Sequence, residues 1–127
     1  MIIVVDDNDM VRRLVAGLLR DKGFEVFDAA GGPEALAACR RDAAGVQMLV
    51  TDIEMPGMNG RELAKRVAAI RPGVRVIYMS GLSRAAVERA GALQAWESYL
   101  GKPFTPAQLS DMIRTLMGDP KDPSAAA

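Results

Sequence analysis

Side chains able to handle a phosphoryl group occur at four places along the chain. Asp6 and Asp7 follow the first apolar run, Asp52 follows a later one, and Ser80 and Lys102 come at the ends of two more. Three carboxylates and one ammonium sum to about −2, which a single hard divalent cation would neutralise. Carboxylate oxygens suit Mg²⁺ or Mn²⁺ rather than zinc. A metal beside a carboxylate, a hydroxyl and a lysine favours attack of a carboxylate on a phosphoryl group.

Asp52 is the best candidate for the nucleophile among the three carboxylates. The apolar run at 48–50 is typical of a buried strand, and the Pro-Gly pair at 56–57 indicates a turn. Asp52 is therefore expected at the end of a strand, held by the core beneath it and open to solvent above. Asp6 and Asp7 are then predicted to hold the metal.

The order of apolar runs and turn signals predicts the elements that position these residues. Strands are expected at 2–5, 24–29, 46–52, 74–79 and 98–100, and helices follow them, ending near residues 22, 41, 71, 90 and 117. The second strand is the most polar, which favours a sheet edge. Strands that alternate with helices predict an α/β fold, a doubly wound five-stranded parallel sheet with helices on both faces.

The strand ends explain why distant residues should meet. With the strand order 2-1-3-4-5, the first and third strands flank the switch point where such sheets bind ligands. Asp6, Asp52, Ser80 and Lys102 then converge on one patch, whereas the second strand ends in alanines and contributes nothing.

Composition limits the classes of function. The 127 residues carry 16 basic and 16 acidic side chains, which argues against a dedicated binder of nucleic acid or of a membrane surface. The chain has one cysteine, Cys39, expected to be a buried apolar filler in a reducing compartment, and we expect a cytoplasmic protein. No histidine is present, so a histidine base or a phospho-histidine on this chain is excluded. One domain is expected over 1–117, and the Pro/Ala-rich stretch 118–127 is expected to be a flexible tail or linker.

Over about residues 2–117 the chain resembles the receiver domain of two-component response regulators, with its flavodoxin-like arrangement. The motifs that carry the resemblance are Asp6-Asp7, Asp52 with the segment 55–60, Ser80, and Lys102-Pro103-Phe104. The resemblance implies that Asp52 accepts a phosphoryl group from the phospho-histidine of a histidine kinase or histidine phosphotransfer protein. It also implies a Mg²⁺ cofactor, for which Mn²⁺ can substitute, and a downstream protein target. The chain would be a single-domain regulator or the receiver of a larger protein such as a hybrid histidine kinase.

The resemblance also implies roles for individual residues. Asp7 and Asp52 would ligate Mg²⁺ directly and Asp6 through water, and the Glu54 backbone carbonyl would supply another oxygen. Ser80 and Tyr99 resemble the switch pair of the family. Ser80 would move toward the phosphoryl group and Tyr99 would turn inward, which would reshape the surface of helix four, strand five and helix five. The Lys102–Pro103 peptide would be cis.

Other positions carry weaker expectations. The Arg12-Arg13 pair is typical of a solvated helix face. The helix at 84–90 has the weakest apolar face and is expected to be the most mobile. Glu54 and Leu82 are expected to flank the path of an attacking water, and Gly101 is expected to loosen the loop that carries Lys102.

Two other functions remain open at this point. Glu54, two residues after Asp52, could act as the acid/base of a Mg²⁺-dependent phosphohydrolase that forms an aspartyl-phosphate. Alternatively, a degenerate receiver would serve only as a docking module. Our expectation is that the chain catalyses only its own phosphorylation and slow autodephosphorylation, and is otherwise not an enzyme.

Overall fold

Five parallel strands alternate with five helices along the chain. The computed structural model describes residues 1–117, and the tail predicted at 118–127 lies outside them. The strands are β1 (Ile2–Val5), β2 (Val26–Ala29), β3 (Met48–Asp52), β4 (Arg75–Ser80) and β5 (Glu97–Gly101). The helices are α1 (Asp9–Asp21), α2 (Gly32–Arg41), α3 (Gly60–Ile70), α4 (Arg84–Glu88) and α5 (Pro106–Met117).

The strands form one sheet in the order β2-β1-β3-β4-β5, which confirms the predicted topology and the edge position of β2. In the register of the sheet, Asp52 pairs with Met79, and Ser80 pairs with Gly101. The carboxyl ends of β1, β3, β4 and β5 are therefore level with one another. Residues that follow these strands must lie along one edge.

The two faces of the sheet bury separate apolar clusters because alternate residues of a strand point to opposite sides. Ile3 and Val5 of β1 belong to the cluster that α2 and α3 cover. Ile2 and Val4 belong to the cluster that α1 and α5 cover. This burial from both sides explains the continuous apolar runs of the inner strands.

Polar caps set where the helices begin. Asn8 caps α1, and its side chain accepts a hydrogen bond from the Val11 amide. Asn59 caps α3 and Ser83 caps α4 in the same way. Thr105 and Gln108 exchange the two hydrogen bonds of a capping box at the start of α5.

The differences from prediction are small, apart from helix α4. The predicted strands 24–29 and 46–52 begin two residues too early, and a short 3-10 helix at Ala43–Gly45 was not predicted. Helix α4 ends at Glu88 rather than residue 90, and Val87 is its one buried residue. None of the helices in the described part of the chain is long and apolar enough to cross a membrane.

Candidate functional site

Three carboxylates meet at the carboxyl edge of the sheet. Asp6 follows β1 and is fully buried, Asp7 is exposed, and Asp52 ends β3 with 14% of its side chain exposed. One oxygen of each lies within 4.8 Å of the others. The structure therefore brings together the three acidic residues that the sequence singled out.

Lys102 reaches into this cluster from the loop after β5. Its Nζ lies 3.2 Å from Asp6 Oδ2 and 3.4 Å from Asp52 Oδ2, so one ammonium bridges two of the three carboxylates. The Lys102 amide donates to the Ser80 carbonyl at 2.7 Å, which ties the loop to the end of β4. The Lys102–Pro103 peptide is cis, as the resemblance implied.

The backbone around Asp52 is held from several directions. Thr51 Oγ1 donates to the Asp52 carbonyl at 2.8 Å, and the Glu54 amide approaches Asp52 Oδ1 at 3.4 Å. Gly60, the first residue of α3, donates to the Ile53 carbonyl at 2.9 Å. A Cβ at position 60 would lie 2.1 Å from the Asp52 carbonyl oxygen. Gly60 therefore permits a contact between helix and strand that any other residue would block.

Ser80 and Tyr99 are linked through one loop residue. Ser80 is 1% exposed, and its Oγ accepts from the Leu82 amide at 3.0 Å. The half-buried Tyr99 donates its hydroxyl proton to the Leu82 carbonyl. Its ring lies against Gly101, where an added Cβ would be 2.9 Å from the Tyr99 hydroxyl oxygen. The two residues of the expected switch pair thus bind the same residue: Ser80 binds the amide of Leu82, and Tyr99 binds its carbonyl.

Burial sets the electrostatic character of the acidic cluster. Burial raises the pKa of Asp6 above its ordinary value, although the Asn8 amide hydrogen bond and the charge of Lys102 oppose the shift. A hard divalent cation would offset this cost, because it favours the ionised carboxylate. The donor atoms are all carboxylate oxygens, which fits Mg²⁺ or Mn²⁺.

Asp6→Asn is expected to raise the melting temperature of the metal-free protein by about 4 °C at neutral pH, or roughly 1 kcal/mol. The buried ionised carboxylate opposes folding there because its folded pKa lies above the unfolded value. The advantage of the amide should shrink as the pH falls below the raised folded pKa and should be lost below the unfolded pKa, where the wild-type carboxyl is neutral in both states. Melting curves in EDTA at neutral and acidic pH would measure this dependence.

The same substitution should weaken the metal response, since it removes one negative ligand. Added MgCl₂ should raise the melting temperature of the wild type more than that of Asp6→Asn. A lower melting temperature for the metal-free variant at neutral pH would contradict the assigned cost of burial.

Arg12 corrects one expectation about the surface. The side chain of Arg12 is only 11% exposed and donates to the Asp6 carbonyl at 3.0 Å, with ion pairs to Asp9 at 2.8 Å and Asp28 at 3.3 Å. Burial alone would raise the pKa of Asp28, but hydrogen bonds and charge from Arg20 and Arg12 lower it. The prediction that Arg12 lies on a solvated helix face is therefore wrong. In the sequence, the three-residue spacing of Asp9 and Arg12 is the one signal for an ion pair. Nothing near Arg12 in the sequence indicates Asp28 as a partner.

Comparison with known proteins agrees with this geometry. The family model described as the response regulator receiver domain matches residues 2–114. Chemotaxis protein CheY1 of Helicobacter pylori is 36% identical over 121 residues, which cover 92% of this chain and 96% of that protein. Sensor kinase CckA of Brucella abortus is 30% identical over 116 residues, which cover 91% of this chain.

Several relatives are much longer than the matched region. The match covers 12% of the length of CckA and 50% of the length of the sensory transduction protein RegX3 of Mycobacterium tuberculosis. The chain therefore spans half or less of these two curated relatives.

Solved structures resemble the chain over nearly its whole length. The receiver domain of the hybrid histidine kinase CckA has a TM-score of 0.78 at 30% identity, covering 91% of this chain and 96% of that chain. Vibrio cholerae chemotaxis protein CheY4 has a TM-score of 0.77 at 29% identity, with the same coverage. The chain belongs to the response regulator receiver domain family, the phospho-accepting signalling modules of two-component systems.

Proposed function

We propose that Asp52 is the residue of this receiver domain that becomes phosphorylated, with Mg²⁺ held by Asp6, Asp7, Asp52 and the Glu54 backbone carbonyl. The observation that carries the proposal is the Lys102 ammonium, which contacts both Asp6 and Asp52 where three carboxylates converge. A lone aspartate at a strand end would need no such counter-charge. Asp52 keeps 14% of its side chain exposed, which leaves it accessible to a donor.

The reaction is an in-line transfer to a carboxylate. A carboxylate oxygen of Asp52 forms the new O–P bond while the P–N bond to the donor imidazole breaks, and the imidazole leaves with the electron pair and takes up a proton. The donor must bring the histidine, because this chain has none. When bound, Mg²⁺ would neutralise phosphoryl oxygen charge.

Lys102 and Ser80 are proposed to stabilise the product. The Lys102 ammonium already lies 3.4 Å from Asp52, so it can pair with a phosphoryl oxygen by a small shift. The Ser80 hydroxyl accepts from the Leu82 amide, and that bond leaves the hydroxyl proton free to be donated to another phosphoryl oxygen. We propose that Tyr99 responds through its own bond to Leu82.

An apolar groove beside the site is proposed to receive the donor, a histidine kinase or histidine phosphotransfer protein. Leu14 is 62% exposed and lines a groove of about 360 Å³. The groove is lined by Val11, Leu14, Val15, Lys102, Pro103 and Phe104. Because Lys102 belongs to both the groove and the acidic cluster, a partner seated there would bring its phospho-histidine to Asp52.

Labelling with two kinds of donor tests the proposal. Acetyl phosphate with MgCl₂ should add one acyl phosphate, which should map to the peptide that contains Asp52. EDTA should prevent this addition. Leu14→Glu should label normally with acetyl phosphate but at least about tenfold more slowly with a histidine kinase chosen because it labels the wild type. Ala69→Glu, on the exposed side of α3, is the matched control and should behave as the wild type.

Other outcomes would favour the alternatives. Steady release of phosphate from a phosphomonoester would favour the phosphohydrolase, with the exposed Glu54 as its acid/base. Absence of both labelling and Mg²⁺ binding would favour a docking module. Equal slowing by Leu14→Glu and Ala69→Glu would remove the groove from the donor interface.

The remaining parts of the proposal concern context. We propose that the chain turns over no separate substrate and acts on a downstream protein without contacting nucleic acid or membrane directly. A cytoplasmic location is in keeping with Cys39, which is free and buried.

A further inference from the structure

Arg61 joins helix α3 to the end of helix α4. It is the second residue of α3, next to the Gly60 contact with Asp52, and its side chain is 15% exposed. Nη1 donates to the Val87 carbonyl at 3.3 Å, and Nη2 donates to the Gly91 carbonyl at 2.9 Å. One guanidinium therefore binds two carbonyls, that of Val87 near the C-terminal end of α4, which also accepts from the Ala90 amide, and that of Gly91 just beyond it.

The other side of the guanidinium meets a buried acid and an aromatic ring. Arg61 Nε lies 3.9 Å from Glu97 Oε2, and its Cζ lies 5.3 Å from the centre of the Tyr78 ring. Tyr78 is fully buried and donates its hydroxyl proton to Glu97, while the Gln94 amide donates to the other Glu97 oxygen at 2.9 Å. We call Arg61, Tyr78 and Glu97 the latch.

The polar side chains of the latch all have hydrogen-bond or ion-pair partners. Burial, with the hydrogen bond to Glu97, raises the pKa of Tyr78 far above its ordinary value, so the phenol remains a neutral donor. Across residues 1–117, no buried side-chain nitrogen or oxygen is without a hydrogen-bond partner. Removing Arg61 would leave the Glu97 carboxylate buried, with 5% exposure, and without its cation.

The two ends of α4 are thus held by different parts of the molecule. Its five residues bury only Val87, so packing alone holds it weakly. Its N-terminal end follows Leu82, which is tied to Ser80 and Tyr99. Its C-terminal end is tied to the latch. Movement of Ser80 toward a phosphoryl group would pull on the first connection and not on the second.

We propose that Arg61 is a positioning residue that fixes the C-terminal end of α4 to α3, so that phosphorylation rearranges Leu82 and Tyr99 while residues 87–91 stay in place. The proposal rests on the proposed function of Asp52. It narrows the expectation that the surface of helix four, strand five and helix five is reshaped, because the C-terminal end of helix four would not take part. The high mobility expected from the weak apolar face of α4 is also limited by the latch.

Amide hydrogen exchange with a phosphoryl mimic tests this arrangement. Beryllofluoride with MgCl₂ should change exchange in peptides that contain Leu82 and Tyr99 of the wild type, but not in peptides that cover 87–91. Arg61→Lys keeps the charge near Glu97 but loses the planar pair of donors. In this variant the amides at 87–91 should exchange about tenfold faster and should respond to beryllofluoride.

The controls separate local positioning from general damage. Arg66→Lys alters an exposed arginine of the same helix, paired with Glu62, and should leave the exchange pattern unchanged. Arg61→Lys should bind beryllofluoride and Mg²⁺ within about twofold of the wild type, because Arg61 makes no ion pair or hydrogen bond with Asp6, Asp7 or Asp52. If Arg61→Lys fails to fold, Glu97→Gln provides a second way to weaken the latch with little change of volume.

Two results would overturn the inference while leaving the proposed function intact. One is a beryllofluoride response at 87–91 of the wild type as large as that at Leu82. The other is an unchanged pattern in both Arg61→Lys and Glu97→Gln. If beryllofluoride with Mg²⁺ alters no peptide of the wild type, then the proposed function fails, and the inference fails with it.

Discussion

Asp52→Asn is expected to reduce labelling by acetyl phosphate by at least about 10³-fold. The amide is nearly the same size as the carboxylate, but it lacks the anionic oxygen that attacks phosphorus. The variant also removes one carboxylate from a cluster whose oxygens lie within 4.8 Å of one another, so the fold should not suffer. Intact mass after incubation with acetyl phosphate and MgCl₂ measures the loss, and circular dichroism checks the fold.

Asp111→Asn is the matched control for this substitution. Asp111 lies on α5 with 69% of its side chain exposed, and within residues 1–117 its carboxylate pairs only with Arg114 of the same helix. Its labelling should equal that of the wild type. If Asp52→Asn still accepts a phosphoryl group at the wild-type rate, Asp6 or Asp7 must be the acceptor and the assignment of Asp52 is wrong.

Gly60→Ala is expected to destabilise the protein by about 2–4 kcal/mol and to slow phosphorylation. The new Cβ would lie 2.1 Å from the Asp52 carbonyl oxygen and 3.0 Å from the Asp52 carbonyl carbon, and both atoms are backbone that cannot rotate away. Either α3 or the end of β3 must move, and movement of β3 would displace Asp52, the proposed acceptor. Urea denaturation and initial rates of labelling measure the two effects.

Gly17→Ala should have the opposite effect on stability. Gly17 lies within α1 and a Cβ there would meet nothing within 4 Å, so the higher helix propensity of alanine should stabilise the protein by about 1 kcal/mol. Equal stability of Gly60→Ala and the wild type would show that the contact between α3 and Asp52 can relax without loss.

Predictions from the sequence were most successful where the signal is local. The caps Asn59 and Ser83 act on amides three residues away, so the start of each helix depends on residues that are close in the sequence. The apolar runs indicated strands buried on both faces, and the two apolar clusters confirm that reading. Strand limits were less accurate, because the first and last residues of a strand depend on the neighbour with which they pair.

The convergence of the site was predictable from topology. Once five parallel strands are assumed in the order 2-1-3-4-5, Asp6, Asp52 and Lys102 must meet at the carboxyl edge, whatever the details of the loops. That argument places backbone positions. It does not give the distances, such as the 3.2 Å and 3.4 Å that join Lys102 to two carboxylates.

The sequence by itself determined the sheet, the caps and the chemistry of the strand ends, because these follow from residue types at short spacing. Only the tertiary structure decided the partners of the long polar side chains. Arg12 looked like part of a solvated face, yet this residue of helix α1 is bound to Asp28 of strand β2. Arg61 binds Glu97 and the carbonyls of Val87 and Gly91 because the fold brings these groups, which are 26 to 36 residues away in the sequence, within reach of its side chain. A flexible cation satisfies whichever buried acceptors the fold brings near it, and no local pattern records which ones those are.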